Sequence, residues 1–164
     1  MTIATDGGLR NIFKKHIPEA HWQPVETWST GQGVPDTNYC FGGAEGWIEL
    51  KQTSSWRVAV SPEQVAWAER RIRAGGRVLC GVRREALAGP RRGDAQDKLY
   101  LYDGGKMRTL LTGSLLDCRR LYESGPGGPA NWDWEAIRRL LFAPVGRPET
   151  ARACHPATLP VPPA

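Results

Sequence analysis

Gly33-Val34-Pro35-Asp36 and Trp47-Ile48-Glu49-Leu50-Lys51 are two short runs separated by a segment rich in glycine. Val34 to Phe41 carries Val, Thr, Tyr and Phe, which suit a pleated surface, and it opens at a proline, a position that a strand tolerates. The linker Gly42-Gly43-Ala44-Glu45-Gly46 supplies three glycines for a reversal within the usual hairpin range. Trp47 to Lys51 alternates, so Trp47, Glu49 and Lys51 share one face and Ile48 and Leu50 the other. Glu49 and Lys51 then stand about 6–7 Å apart at the backbone, on the same side. Closing the hairpin about this linker leaves Asp36 about three residues from the position opposite Glu49, a gap for a bulge or a ragged turn to close.

Two carboxylates that converge on one side of a sheet repel each other unless a cation sits between them. A donor set made only of oxygen suits a hard divalent ion, Mg²⁺ or Mn²⁺, rather than zinc. A lysine beside such an ion orients a water or neutralises charge developing on a phosphate. Taken alone, Glu49-x-Lys51 is also the pattern of an ordinary surface ion pair, worth under about 1 kcal/mol. Pro35-Asp36 at hairpin distance is what raises it above that.

These residues resemble the PD-(D/E)xK nuclease superfamily, most closely its small phage-encoded, Holliday-junction-resolvase-like and VRR-NUC-type members. The resemblance spans about residues 8 to 85 and rests on Pro35-Asp36 with Glu49-Leu50-Lys51. It implies a restriction-endonuclease-like core, a central mixed β-sheet flanked by helices in the α/β class, and Mg²⁺-dependent cleavage of DNA, with Mn²⁺ as a substitute. By the same resemblance Asp36 and Glu49 are metal ligands, the Leu50 carbonyl is a third oxygen, and Lys51 positions or activates the attacking water. An additional upstream acid, usually on the first helix of such nucleases, has no counterpart between Gly7 and Ile17; Glu26 is the nearest upstream candidate, and equally a plain surface glutamate.

Length and composition fit this. A chain of 164 residues suits one compact domain, taken as residues 1 to 142, and is long enough to bury a core. A net charge of +5, carried mainly by arginine, favours a polyanionic partner, although many basic proteins bind none. Cys40, Cys80, Cys118 and Cys154 are irregularly spaced and suggest neither a zinc module nor a disulfide framework. No signal peptide and no run of membrane-spanning length is seen, so the chain reads as cytoplasmic, in a bacterial or phage-infected cell by the resemblance.

In chain order, residues 1 to 7 read as frayed and Gly8 to Ile17 as a short helix with Leu9, Ile12 and Phe13 on one face and Arg10, Lys14 and Lys15 on the other. His21 to Trp28 is a candidate strand weakened by Pro24, followed by a loop of small residues up to Gly33. Ser61-Pro62-Glu63-Gln64 is the clearest helix start: a serine cap, proline in the first turn, an early acid and Gln at the capping-box position. That helix runs to a Gly75-Gly76 stop. Gln64 completes the box, and the resemblance also assigns it to the active site. Val78 to Val82 reads as a strand parallel to the Glu49 strand, reached by a right-handed crossover. Arg83 to Lys98 reads as a charged loop.

Arg57, Arg83, Arg84, Arg91 and Arg92 are the candidate DNA contacts, on charge. Leu99 to Leu111 reads as a second hairpin about Asp103-Gly104-Gly105, Ser114 to Tyr122 as a short helix and Trp132 to Phe142 as an amphipathic helix. Residues 143 to 164 are rich in proline and alanine and read as a disordered tail in which Cys154-His155 is too isolated for a metal site. The favoured function is a metal-dependent endonuclease on branched or junction DNA. A homodimer is expected from the resemblance, since junction resolution needs two active sites. A non-cleaving nucleic-acid-binding or assembly protein on the same fold, and an exonuclease acting on linear ends, are the competing readings.

Overall fold

A computed structural model describes residues 6–25, 31–85 and 96–144. Glu26, Arg91, Arg92, Cys154, His155 and the tail from residue 145 lie outside these. Six strands form one mixed sheet: β1 (His21–Pro24), β2 (Thr37–Phe41), β3 (Ala44–Thr53), β4 (Val78–Glu85), β5 (Asp97–Asp103) and β6 (Tyr122–Glu123), side by side in chain order. Neighbours are antiparallel except β3 and β4, which are parallel as expected. The connection between those two carries helix α2 (Pro62–Arg73); the other helices are α1 (Leu9–His16), α3 (Met107–Thr112) and α4 (Trp134–Phe142). The chain is thus an α+β protein whose sheet is flanked by helices on both faces.

Strand alternation sorts the core into two layers. Tyr39, Ile48, Leu50, Leu79, Leu99 and Leu101 pack with Leu9 and Phe13 of α1 and Ile137 and Leu141 of α4. On the other face Val78, Cys80, Val82, Tyr100 and Tyr102 pack with Val65 and Ala68 of α2 and Met107 and Leu110 of α3. The first layer is tied across the chain. Arg138 donates to the Glu19 carboxylate and to the His16 carbonyl, both at 2.6 Å, and the His16 ring stacks on Trp134 with centroids 4.2 Å apart. His16 is therefore a packing residue, not a ligand. Cys80 is buried, and Cys40, Cys80 and Cys118 are all free.

Several expected elements differ from those observed. The hairpin linker is not five residues long: Phe41 pairs with Ala44 across Gly42-Gly43, whose φ angles of 58° and 80° fit a tight two-residue turn. Gly46 belongs to β3. Its missing side chain accommodates the cross-strand Tyr39, whose hydroxyl lies 2.4 Å from where a Cβ would stand. The expected second hairpin is a strand followed by a helix. The Asp103 side chain accepts from Gly105 N at 2.8 Å and starts a 3₁₀ turn, and Met107 and Leu110, three apart, bury one face of α3. No helix forms over 114–122: Asp117 closes a turn on Ser114 N, Leu116 is exposed, and Tyr122–Glu123 pairs with β5 instead. Arg83, Arg84 and Glu85 extend β4, and Asp97 and Lys98 extend β5, so the expected loop is shorter at both ends. Asp6, in the segment read as frayed, is buried and accepts from the amides of Gly8 at 3.1 Å and Arg10 at 3.4 Å. Among the described residues no helix is long and apolar enough to cross a membrane.

Candidate metal centre

The tight turn removes the gap between the two acids. The β2–β3 register runs from Phe41 opposite Ala44 to Thr37 opposite Ile48, and one further step sets Asp36 opposite Glu49. Period-two geometry then gives both carboxylates the same face of the sheet, the one that α2 covers. β2 stops pairing at Thr37 for a chemical reason. The next step would set Pro35 opposite Leu50, and proline has no N–H to donate. The Leu50 amide turns instead to Asp36 Oδ2 at 3.4 Å. A residue's N–H and C=O point to the same side of a strand, so the Leu50 carbonyl faces the margin that β2 has left.

Each acid is held from a different direction. Thr37, fully buried, donates its hydroxyl to Asp36 Oδ1 at 2.7 Å. Burial, and then the neighbouring Glu49 charge, raise the Asp36 acid from 3.8 to about 6; the Thr37 bond, the Arg10 guanidinium and the Leu50 amide pull the other way. Glu49 is only 3% exposed. Its Oε1 accepts from Gln64 Nε2 at 2.6 Å and lies 2.8 Å from Lys51 Nζ. Its Oε2 is buried and has no hydrogen-bond partner among the described residues. Gln64 completes the capping box and also reaches Glu49. Its Oε1 accepts from Ser61 N at 3.0 Å, its own N donates to Ser61 Oγ at 3.2 Å, and its amide nitrogen is left for Glu49. Gly33 fastens the Pro35-Asp36 segment to the same helix start. It sits at φ 85°, with the Glu63 carbonyl oxygen 2.2 Å from the position of a Cβ, an approach only glycine permits.

The donors fit a hard cation. The Asp36 and Glu49 charges oppose each other, Glu49 keeps a buried oxygen without a partner among the described residues, Asp36 is pushed toward neutrality partly by Glu49, and the Leu50 carbonyl faces the margin beside them. A divalent ion relieves all of these, and an oxygen-only set suits Mg²⁺ or Mn²⁺. Among the described residues no group of three His, Cys, Asp or Glu side chains comes together. The set is therefore two carboxylates and a carbonyl, and the Glu26 candidate lies outside the described residues.

The candidate arginines separate. Arg84 follows Val82, the partner of Lys51, and shares the face of the acids. Arg57 is exposed and donates to the Thr112 carbonyl at 2.8 Å. Arg83 points to the opposite face, where Asp97 holds it through two bonds of 2.9 and 2.7 Å and Glu85 lies 2.7 Å away. Arg91 and Arg92 lie outside the described residues. Arg10 was not among the candidates. Helical periodicity sets it on the solvent side of α1, yet its charge reaches Asp36, its Nε is buried without a partner among the described residues, and Asp6 lies 4.0 Å from its Nη2. Thr37 was missed too, although a hydroxyl directly after Pro-Asp is a visible signal.

No protein-family model matches this chain, and no curated protein matches it by sequence.

Proposed function

We propose that this protein is a divalent-metal-dependent endonuclease that hydrolyses DNA phosphodiester bonds on a restriction-endonuclease-like core, with branched or junction DNA as its substrate. The observation that carries this is the buried Oε2 of Glu49, without a partner among the described residues and one register step beyond the last β2–β3 pair, where Asp36 lies, with Lys51 and Gln64 gathered on the other Glu49 oxygen. A buried unpaired carboxylate oxygen costs stability, and a bound ion is the simplest reason for keeping one. Asp36, Glu49 and the Leu50 carbonyl would hold Mg²⁺, which supplies Lewis-acid activation of water and of the phosphate when bound. Lys51, fixed by Glu49, orients the attacking water and offsets the negative charge that grows on the phosphate. Gln64 holds the Glu49 carboxylate in one rotamer, and Thr37 does the same for Asp36. Arg57 and Arg84 bind backbone phosphates. A homodimer follows if the substrate is a four-way junction, since two strands must be cut.

The test is cleavage of four-way-junction, flap, linear and circular duplex DNA with Mg²⁺, Mn²⁺ or chelator. Wild type cuts with either metal and is silent in chelator, and Lys51→Ala and Asp36→Asn each lose at least about 100-fold. Cutting of linear but not circular DNA would instead identify an end-trimming exonuclease, and binding without cutting a non-catalytic protein. Equal cutting by wild type and both variants would trace the activity to a contaminant.

A further inference from the structure

We propose that Trp56 and Arg84 form a stacking platform for an unpaired nucleobase beside the metal centre, so that the enzyme selects strands with a base already out of the duplex. The proposal rests on the nuclease assignment only for where the cut falls. Trp56 is 37% exposed, yet its indole is fixed. The Arg84 guanidinium lies over the ring, 3.9 Å from its centroid, and is itself held by donating Nε to the Ser55 carbonyl at 3.1 Å. Tyr100 approaches at 6.3 Å with its plane at 63° to the indole. The Trp56 carbonyl is anchored by Leu115 N at 2.8 Å. A large side chain immobilised this way, with a third of its surface open, offers a flat partner with little ordering cost on binding.

Charge identifies the partner. Among the described residues neither Arg84 nor Arg57 has a carboxylate within ion-pair distance, whereas Arg83 on the other face has two. A ring with the Arg84 guanidinium over it, and with no carboxylate on that arginine among the described residues, suits a base joined to phosphates, because base–aromatic stacking and cation–π contact act together on single strands. A base inside a duplex is stacked on both sides and has no free face to give; an unpaired one has. Position agrees with this. Arg84 pairs with Thr53, and Glu49, Lys51 and Thr53 line one face of β3, so the platform begins about 13 Å from Glu49, a reach of a few nucleotides.

The test uses flap DNA carrying 2-aminopurine at successive unpaired positions, and matched full duplex, titrated with the whole protein in chelator so that nothing is cut. Wild type and Trp56→Phe quench the fluorophore at one unpaired position; Trp56→Ala does not, and its preference for flap over duplex falls about 10-fold. If Trp56→Ala fails to fold, Trp56→Leu, which keeps bulk without an aromatic face, takes its place, with the same result expected. Unchanged quenching and preference in these variants would overturn the proposal, as would equal loss on both DNAs, the mark of a loop-stabilising role or of a surface for a protein partner. Cleavage is measured alongside. Metal-dependent cutting without a Trp56 effect sinks the platform alone, and quenching without cutting sinks the nuclease assignment alone.

Discussion

Asp36 sits where its own charge is opposed, by burial and by Glu49, and the acid is raised from 3.8 to about 6. An acid whose folded value is raised favours the native state while protonated, so this contribution is full below about pH 4 and is lost as pH climbs through 6. Over that window the metal-free protein gives up about 2–3 kcal/mol at this residue. Asp36→Asn removes the dependence. In chelator the variant is expected to be more stable than wild type at pH 8 and close to it at pH 4, read as the difference between their denaturant midpoints. Mg²⁺ at pH 8 should raise the wild-type midpoint and leave that of the variant nearly unmoved, because an ion that binds only the native state stabilises it by mass action. Glu49 and Arg10 both act on this carboxyl, and Lys51 is paired with Glu49, so the variant-minus-wild-type difference, rather than either curve alone, is the quantity to compare.

Helix α2 shows how an element serves structure and site at once, and the two uses separate by substitution. Ser61→Ala removes the cap and is expected to cost about 1 kcal/mol of stability, read from denaturation, while the response to Mg²⁺ is kept. Gln64→Ala loses the box and also frees the Glu49 carboxylate, so both the midpoint and the Mg²⁺-induced shift should fall. This helix was legible because its start is written in local chemistry, in Ser61-Pro62-Glu63-Gln64, and β3 because its alternation is strict. The β2–β3 turn was misread because three glycines look alike in a sequence. Only the folded sheet shows that Gly42 and Gly43 turn the chain and that Gly46 makes room for Tyr39. Asp103-Gly104-Gly105 suggested a hairpin, and burial of Met107 and Leu110 against the sheet overrode it. Asp36, Glu49 and Lys51 were nameable from type and spacing; Gln64 was legible as a capping-box residue, and only the resemblance pointed it toward the site. Arg10 was not, since periodicity within one helix says nothing of what lies beside its polar face.

Across the whole molecule the arginines divide by the side of the sheet they occupy. Arg57→Ala and Arg84→Ala should each reduce the slope of log affinity for DNA against log salt by about 1 and leave the fold intact. Arg83→Ala should leave that slope alone and instead lower stability by about 1–2 kcal/mol, because Asp97 and Glu85 lose their shared, part-buried partner. Binding isotherms over a salt series, with a melt for each variant, separate the two behaviours. The Gly42-Gly43 turn, finally, makes the chain between Asp36 and Glu49 behave like a reading frame. One residue gained or lost within either arm sends one acid to the far side of the sheet, whereas one gained in each arm keeps them matched. Descendants of this sequence are thus free to lengthen the two arms evenly, but a lone indel breaks the pair.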